Sequence, residues 1–276
     1  MTESYISADA TLRYTKIGSG VPVVFLHPTP LDHDYWRPLV NELAGVSAVV
    51  PDLRGHGASE LGSNLPVGGF SRVPDAPVLS MRQLAADTLL LLDAAGIKDA
   101  VFAGCSIGGY VLLELWRQQP KRVRGLAFVC SKPQPDAEPG LQKRAENIAR
   151  VRAEGVDGFF DSMAQSLVGA TARTQRPSIV GEVRSRMTLA PEAVVAVQAG
   201  LATRPDSVPT VRTIDVPLLA IAGEEDGAVS PAEMSAFLEA RRCQFHVLPD
   251  AGHFAAFEQP QNVAGLLGSW LDQFRA

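Results

Sequence analysis

"VFAGCSIGGYVLLE", residues 101–114, decides the fold. An apolar run meets Gly104-Cys105-Ser106-Ile107-Gly108-Gly109 and then resumes with apolar residues at helical spacing. The segment therefore predicts a buried strand, a sharp corner and a helix. G-x-S-x-G acquires meaning only in that strand–turn–helix context. The turn drives its central residue toward positive φ, which small neighbours two positions to either side permit. In return the Ser106 hydroxyl stands clear at the carboxyl edge of a sheet. It also sits at the N-terminus of a helix, where free N–H groups and the helix dipole favour an anion.

Outward from this corner, short β-branched runs alternate with helical patterns, as in a parallel sheet joined by crossover helices. Residues 21–27 and 46–52 are almost wholly apolar, the signature of strands covered on both faces. Residues 34–45 carry apolar residues at helical spacing, and residues 79–97 read as an amphipathic helix with Ser80 as N-cap and Gly96 as stop. Strands are expected within 99–106, 123–131, 216–226 and 243–252, and helices over 107–120, 231–242 and 262–274. The strand pattern vanishes from Lys132 to Arg212, where four helical stretches follow one another. Because strands resume afterwards, residues 132–212 are expected to form a helical lid over the carboxyl ends of the strands, with 1–131 and 213–276 as the core; a separate helical domain is the alternative. Residues 60–78 are a long Gly/Pro-rich loop, of the kind that is either functional or mobile.

The bulk properties narrow the function classes. With 276 residues, 46% of them apolar and 20% charged, the chain has ample material for one large core. A net charge of −5 with scattered basic residues excludes a nucleic-acid footprint. No apolar run approaches the roughly 18 residues that span a bilayer, and the N-terminus has no signal-peptide pattern. Cys105, Cys130 and Cys243 are odd in number and lie in or beside apolar runs, as free thiols of a cytoplasmic protein do.

A serine is a weak nucleophile and needs a base and an orienting acid. Of the five histidines, only His253 combines a position late in the chain with a loop directly after a strand. His246 lies within that strand, and His56 sits in a Gly-rich turn that suits a structural hydrogen bond. Among Glu224, Glu225 and Asp226, beyond the strand that starts near 216, Asp226 heads the turn before Pro231 and is the preferred acid. Glu225 and Asp136 are its rivals. Cys105, beside the corner, points back toward the core and is a poor nucleophile candidate.

The order Ser106, Asp226, His253 resembles that of the α/β-hydrolase superfamily. So do "FLHPTPLD" (25–32), "PDLRGHGAS" (51–59), "GCSIGG" (104–109), "GEEDGAVSP" (223–231) and "AGHFAAFEQP" (251–260). Within the superfamily the chain looks most like the 3-oxoadipate enol-lactonase and cofactor-free haloperoxidase branch. The resemblance implies an α/β-hydrolase fold: a mostly parallel central sheet flanked by helices, with the lid inserted after the sixth strand. It also implies an oxyanion hole from the N–H groups of Ile107 and Thr29. Relatives usually show His-Gly-x-Pro where this chain has His27-Pro28-Thr29-Pro30; prolines 28 and 30 cannot donate, and Thr29 can. Serine rather than aspartate at residue 106 argues against the haloalkane dehalogenase and epoxide hydrolase branches.

The expected activity is hydrolysis of a small-molecule carboxylic ester or lactone, with no metal and no organic cofactor, in a monomer or homodimer with no nucleic-acid or membrane partner. C–C bond hydrolysis, acyl transfer or thioester cleavage, and perhydrolysis use the same triad. A binding protein that kept the fold and lost turnover is the alternative from another class. His27, Trp36, Phe159 and Met163 are carried forward as candidate substrate contacts, although Trp36 equally starts a helix and Phe159, Phe160, Met163, Leu167 and Met187 equally build the lid's own core. An acidic substrate calls for a nearby arginine, and Arg173, Arg176, Arg184 and Arg186 are the candidates. Solvated helix faces account for them as well.

Overall fold

A computed structural model describes residues 2–275. Eight strands, β1 (Thr2–Ser7), β2 (Ala10–Gly18), β3 (Val21–Leu26), β4 (Val46–Pro51), β5 (Ala100–Cys105), β6 (Val123–Val129), β7 (Leu218–Gly223) and β8 (Cys243–Leu248), form one sheet. Their order is β1-β2-β4-β3-β5-β6-β7-β8. The pairs β1/β2 and β2/β4 are antiparallel and all others parallel. β5 and β7 are buried at every residue, as expected for strands with helices on both faces. The register sets Leu26 beside Gly104 and Cys105 beside Val129, so the ends of β3, β5 and β6 lie side by side where the corner serine emerges.

The helices are α1 (Arg37–Val40), α2 (Met81–Ala94), α3 (Ile107–Gln118), α4 (Glu138–Glu154), α5 (Asp157–Leu167), α6 (Ala170–Gln175), α7 (Ile179–Arg184), α8 (Pro191–Ala202), α9 (Val208–Val211), α10 (Pro231–Met234), α11 (Ala255–Glu258) and α12 (Pro260–Leu271). Ser80 caps α2 as expected, its side chain accepting from the Gln83 N–H at 3.2 Å. Helices α4 to α9 all fall between β6 and β7, within the stretch where the strand pattern disappears. α4 lies along α8, whose residues 193–201 are all buried.

Two expectations are corrected. The helix expected over 34–45 is a 3₁₀ turn at His33–Trp36 followed by the single turn α1, because Pro38 suits a helix start and cannot continue one from upstream. The helix expected over 231–242 is likewise one turn, α10, that tightens into 3₁₀ geometry at Ser235–Glu239. The N-terminal hairpin has no counterpart in the sequence reading. Its signal is the alternation in β2, where Ala10, Leu12 and Tyr14 point inward.

Residues 60–78 hold no element beyond an isolated bridge between Val67 and Pro77, yet they are tied down. Asp9 accepts from the Ser63 and Asn64 N–H groups, and the Leu79 N–H reaches the Ala196 carbonyl of α8 at 3.0 Å. Behind the loop, the buried Arg54 forks onto Asp87 of α2 with two 2.9 Å bonds and donates to the Ser7 carbonyl of β1. One bidentate pair thus links the hairpin, α2 and the turn after β4.

Candidate active site

At the end of β5 the chain turns through Ser106 at φ 52° and ψ −115°, and α3 begins at the next residue. The corner closes so tightly that a Cβ on Gly104 would lie 2.5 Å from the Gly108 carbonyl carbon. From behind, the Ser106 N–H donates to Val129 O at 3.1 Å and the buried Ser131 hydroxyl donates to Ser106 O at 2.9 Å. The strained backbone is therefore pinned on both sides, which such a conformation requires to persist.

His253 follows β8 and Asp226 follows β7. His253 Nδ1 donates to Asp226 Oδ2 at 2.8 Å, and both residues are buried. Asp226 Oδ1 accepts the N–H groups of Ala228 (2.8 Å) and Val229 (3.0 Å), so the carboxylate has one oxygen for the backbone and one for the imidazole. Nε2 is left as the free ring nitrogen, on a residue that lines the same cavity as Ser106. The rivals are engaged elsewhere: Glu225 accepts from the Thr171 N–H and hydroxyl, and Asp136 accepts from Arg144 and Arg204.

The cavity has a volume of about 140 Å³ and is walled by Thr29, Ser106 and His253 on the sheet side. Met163, Leu167, Gln198 and Leu201 of the helical insert close the other side. Among the described residues the N–H groups of Thr29 and Ile107 donate to nothing, and Ile107 N–H is an orphan donor of the first turn of α3. A wider open groove of about 500 Å³, between α6 and the start of α12, is lined by neither Ser106 nor His253.

The loop that carries Thr29 is held by two buried histidines. His27 Nδ1 donates to Pro28 O, and its Nε2 accepts the Leu53 N–H at 2.9 Å. His56 Nδ1 donates to Arg54 O, so its Nε2 accepts the Thr29 hydroxyl at 3.0 Å. Burial lowers both pKa values, that of His56 to about 3, because neither site solvates a cation. Asp52 joins the same network through His33 Nδ1 (2.7 Å) and the Ala58 N–H (3.0 Å). Burial pushes its carboxyl up, but the hydrogen bonds from His33 and from the Ala58 N–H outweigh that and bring it to about 2.

Three of the candidate substrate contacts are corrected. His27 is fully buried behind the loop and braces it, and Trp36 packs in the core against Phe25 and Tyr35. Phe159 also turns away from the cavity, into the insert's own core beside Phe160, whereas Met163 does line the wall. Cys105 is buried with its thiol pushed up by burial, and it donates to the His253 carbonyl. Of the four candidate arginines none lines the cavity. Arg184 pairs with Asp157 and Asp161, Arg173 caps carbonyls of α5, and Arg176 and Arg186 lie over the Phe257 ring.

The cations that do reach the wall are Lys132 and Arg144. Lys132 Nζ bonds Glu233 at 2.5 Å, and Arg144 gives Nε to Asp136 (2.9 Å) and Nη1 to Gln198 Oε1 (3.2 Å). Arg204, stacked 3.7 Å from the Tyr110 ring centroid, takes the other Asp136 oxygen. Burial raises the Asp136 carboxyl, and Arg144 and Arg204 override it to hold the group below the usual range. Arg144 Nη2 and Gln198 Nε2 have no acceptor among the described residues, so the wall keeps unused donors. Gln198 carried a visible signal, being the one polar residue of 193–202; Arg144 sits in a heavily charged helix with nothing to single it out.

The sequence pattern of the Alpha/beta hydrolase family matches residues 23–266. The chain belongs to the alpha/beta hydrolase family. As an alpha/beta hydrolase it is 32% identical over 267 residues to the 2-succinyl-6-hydroxy-2,4-cyclohexadiene-1-carboxylate synthase of Enterobacter sp. (strain 638), covering 93% of this chain and 95% of that one. Among solved structures it is similar to a thermophilic esterase from Thermogutta terrifontis, determined with malate bound, at 29% identity and a TM-score of 0.87 (96% and 95% of the two chains). The enol-lactonase of Burkholderia xenovorans LB400 shares the fold at TM-score 0.86 and 22% identity, over 98% and 100%. A bromoperoxidase from Bacillus anthracis shares the fold as well, at TM-score 0.82 and 18% identity, over 99% and 100%. No described helix of this alpha/beta hydrolase is long and apolar enough to cross a membrane.

Proposed function

We propose that this alpha/beta hydrolase is a serine hydrolase that cleaves the ester or lactone bond of a small molecule bearing a carboxylate. The observation that carries the reading is the meeting of a serine at positive φ, a carboxylate-held imidazole and Thr29 with its unpaired N–H on the wall of one cavity of about 140 Å³, with the unpaired Ile107 N–H at the residue after the serine. In this reading Ser106 Oγ attacks the carbonyl carbon while His253 Nε2 takes its proton. The oxyanion is met by the Thr29 and Ile107 N–H groups. The His253 proton passes to the departing alkoxide, and a water deprotonated by the same nitrogen then releases the acid and frees Ser106. The helical insert, acting as a lid, keeps bulk water from the acyl-enzyme.

The acidic class of substrate is supported by Lys132, Arg144 and Gln198, which line the cavity beside Asp136, whose carboxylate Arg144 and Arg204 neutralise. A substrate carboxylate taken there gains charge-assisted bonds worth about 1.5–3 kcal/mol each, so at least roughly tenfold in kcat/KM separates it from a neutral isostere. The test is a matched pair, 4-nitrophenyl hydrogen glutarate and its primary-amide counterpart, with Ser106→Ala as control. Faster turnover of the acid, abolished in the variant, is expected. Equal rates for the two esters overturn the acidic preference, and turnover that survives Ser106→Ala overturns the hydrolase.

A second reading has one observation in its favour: the 32% identical relative is named as a synthase of a carboxylate, not as a hydrolase. There His253 serves as a base on an acidic substrate and no acyl-enzyme forms. Incorporation of ¹⁸O from labelled water into the acid product separates the two, since only hydrolysis introduces it.

A further inference from the structure

The short strap that joins α5 to α6, residues 167–171, lies directly on the two loops that carry the proposed acid and base. On the base side, the His253 N–H donates to Leu167 O at 2.9 Å. Glu258, at the end of α11, folds back over the same loop. Its Oε2 accepts the N–H groups of Gly252 (2.8 Å) and of Gly169 in the strap (3.1 Å), and its Oε1 accepts the Phe254 N–H (3.1 Å). The three consecutive N–H groups around the histidine are thus all engaged, two by one carboxylate and one by the strap. On the acid side, Glu225, next to Asp226, accepts the Thr171 N–H (2.8 Å) and hydroxyl (2.6 Å), and its own N–H donates to Ala251 O (2.8 Å). The strap approaches so closely that a Cβ on Gly169 would lie 2.8 Å from the Gly252 nitrogen and 2.9 Å from Glu258 Oε2.

We propose that Glu258 is a positioning residue for the base: it clamps the backbone on both sides of His253 to the strap, so that the helical insert and the acid–base pair move as one unit. The proposal rests on the hydrolase reading for the role of His253. The physical reason lies in the number of acceptors. Gly252, Phe254 and Gly169 present three N–H donors to a largely enclosed spot, and only a carboxylate offers enough lone pairs to satisfy all three at once. Most of Glu258 is buried, and burial raises its carboxyl, a cost carried by a group whose bonds fix the loop and touch no substrate. With the clamp in place, the imidazole has its backbone fixed by the strap and its Nδ1 fixed by Asp226, leaving Nε2 a single direction. Without it, the Gly252, Phe254 and Gly169 N–H groups lose their shared acceptor, and the imidazole swings away from Ser106.

The test uses the full chain and the variants Glu258→Ala, Glu258→Gln and Gly169→Ala. Two readouts are taken: kcat and KM on 4-nitrophenyl butyrate, and the downfield proton resonance of the His253 Nδ1–H, which needs no turnover. Glu258→Ala is expected to lower kcat at least tenfold with KM changed less than threefold, and to broaden or abolish the downfield proton while melting remains cooperative. Glu258→Gln keeps one acceptor oxygen and falls between the two. Gly169→Ala pushes the strap away from Gly252 and Glu258 while leaving the Glu258 carboxylate itself in place, and it reproduces the same signature; it decides the matter if Glu258→Ala does not fold. A variant with lower Tm but an unchanged downfield proton and kcat overturns the proposal, since Glu258 then only supports the fold. If the wild type cleaves no ester, the hydrolase reading fails, and the proton resonance alone still decides whether Glu258 orders the imidazole. A wild type lacking that resonance overturns the proposal as well.

Discussion

Asp226→Asn is expected to lower kcat for ester cleavage by roughly 10³–10⁴-fold while leaving the fold intact. The reason lies in how the two carboxylate oxygens are used. Oδ1 faces the N–H groups of Ala228 and Val229, and only an acceptor satisfies those donors. An asparagine therefore keeps its carbonyl oxygen there and presents its NH₂ to His253 Nδ1, where Oδ2 now accepts at 2.8 Å. To receive that NH₂ the imidazole must carry its proton on Nε2, which removes the lone pair that would take the proton of Ser106. The prediction thus differs from that for Asp226→Ala, which also strips the backbone donors of their partner and destabilises the turn. Steady-state kinetics with thermal melting checks it. A loss smaller than tenfold, with Asp226→Asn folded, would mean that the acid lies elsewhere, and Glu225 and Asp136 would return as candidates.

The second large effect concerns acid stability. His27 and His56 have pKa values lowered by burial, that of His56 to about 3. A histidine with a folded pKa below its unfolded value binds more protons when unfolded. Its contribution is fully present above the unfolded pKa near 6.5 and is lost as pH falls from there toward the folded value. For His56 alone this amounts to about 2 kcal/mol between pH 7 and pH 5, and His27 acts in the same direction. His33 has the opposite sign, because its bond to Asp52 raises its pKa; its contribution is fully present below the unfolded pKa and lost as pH rises. The Asp52 contribution holds above about pH 4 and fades toward 2, outside the window. Comparing the wild type with His56→Gln isolates one histidine from the rest. Urea unfolding at pH 7 and pH 5 is expected to show a pH-dependent loss about 2 kcal/mol smaller in the variant. Parallel losses in the two proteins would contradict the buried, neutral His56 that holds the Thr29 hydroxyl.

The features legible in the sequence were those where one local constraint acts alone. Gly104-Cys105-Ser106-Ile107-Gly108 specifies a corner because tight packing admits only small residues there, and the strands around it announce themselves because both their faces are covered. Asp226 and His253 were legible by their place just beyond strands, and the structure brings the two into contact. Features that depend on contacts distant in sequence were not legible. His27 and Trp36 look like pocket residues because they flank the Thr29 loop, yet the loop's own bracing and the Phe25–Trp36 packing claim them. Arg144 reaches the cavity only because α4 lies along α8, a pairing that no local pattern in residues 138–154 encodes. Glu258 has no local signal in the sequence, and the role proposed for it depends on a strap 89 residues earlier in the chain.

The measurement that reaches the central claim most directly is labelling by a small fluorophosphonate followed by peptide mass analysis, in the wild type and in His253→Ala. It asks whether Ser106 is an activated nucleophile and needs no knowledge of the natural substrate. The account predicts one phosphonylated residue, Ser106, labelled within minutes in the wild type and at least a hundredfold more slowly in His253→Ala, because general-base assistance contributes on the order of 10²–10⁴-fold. A Ser106 that stays unmodified in the folded wild type, or that is labelled equally fast without His253, would contradict it.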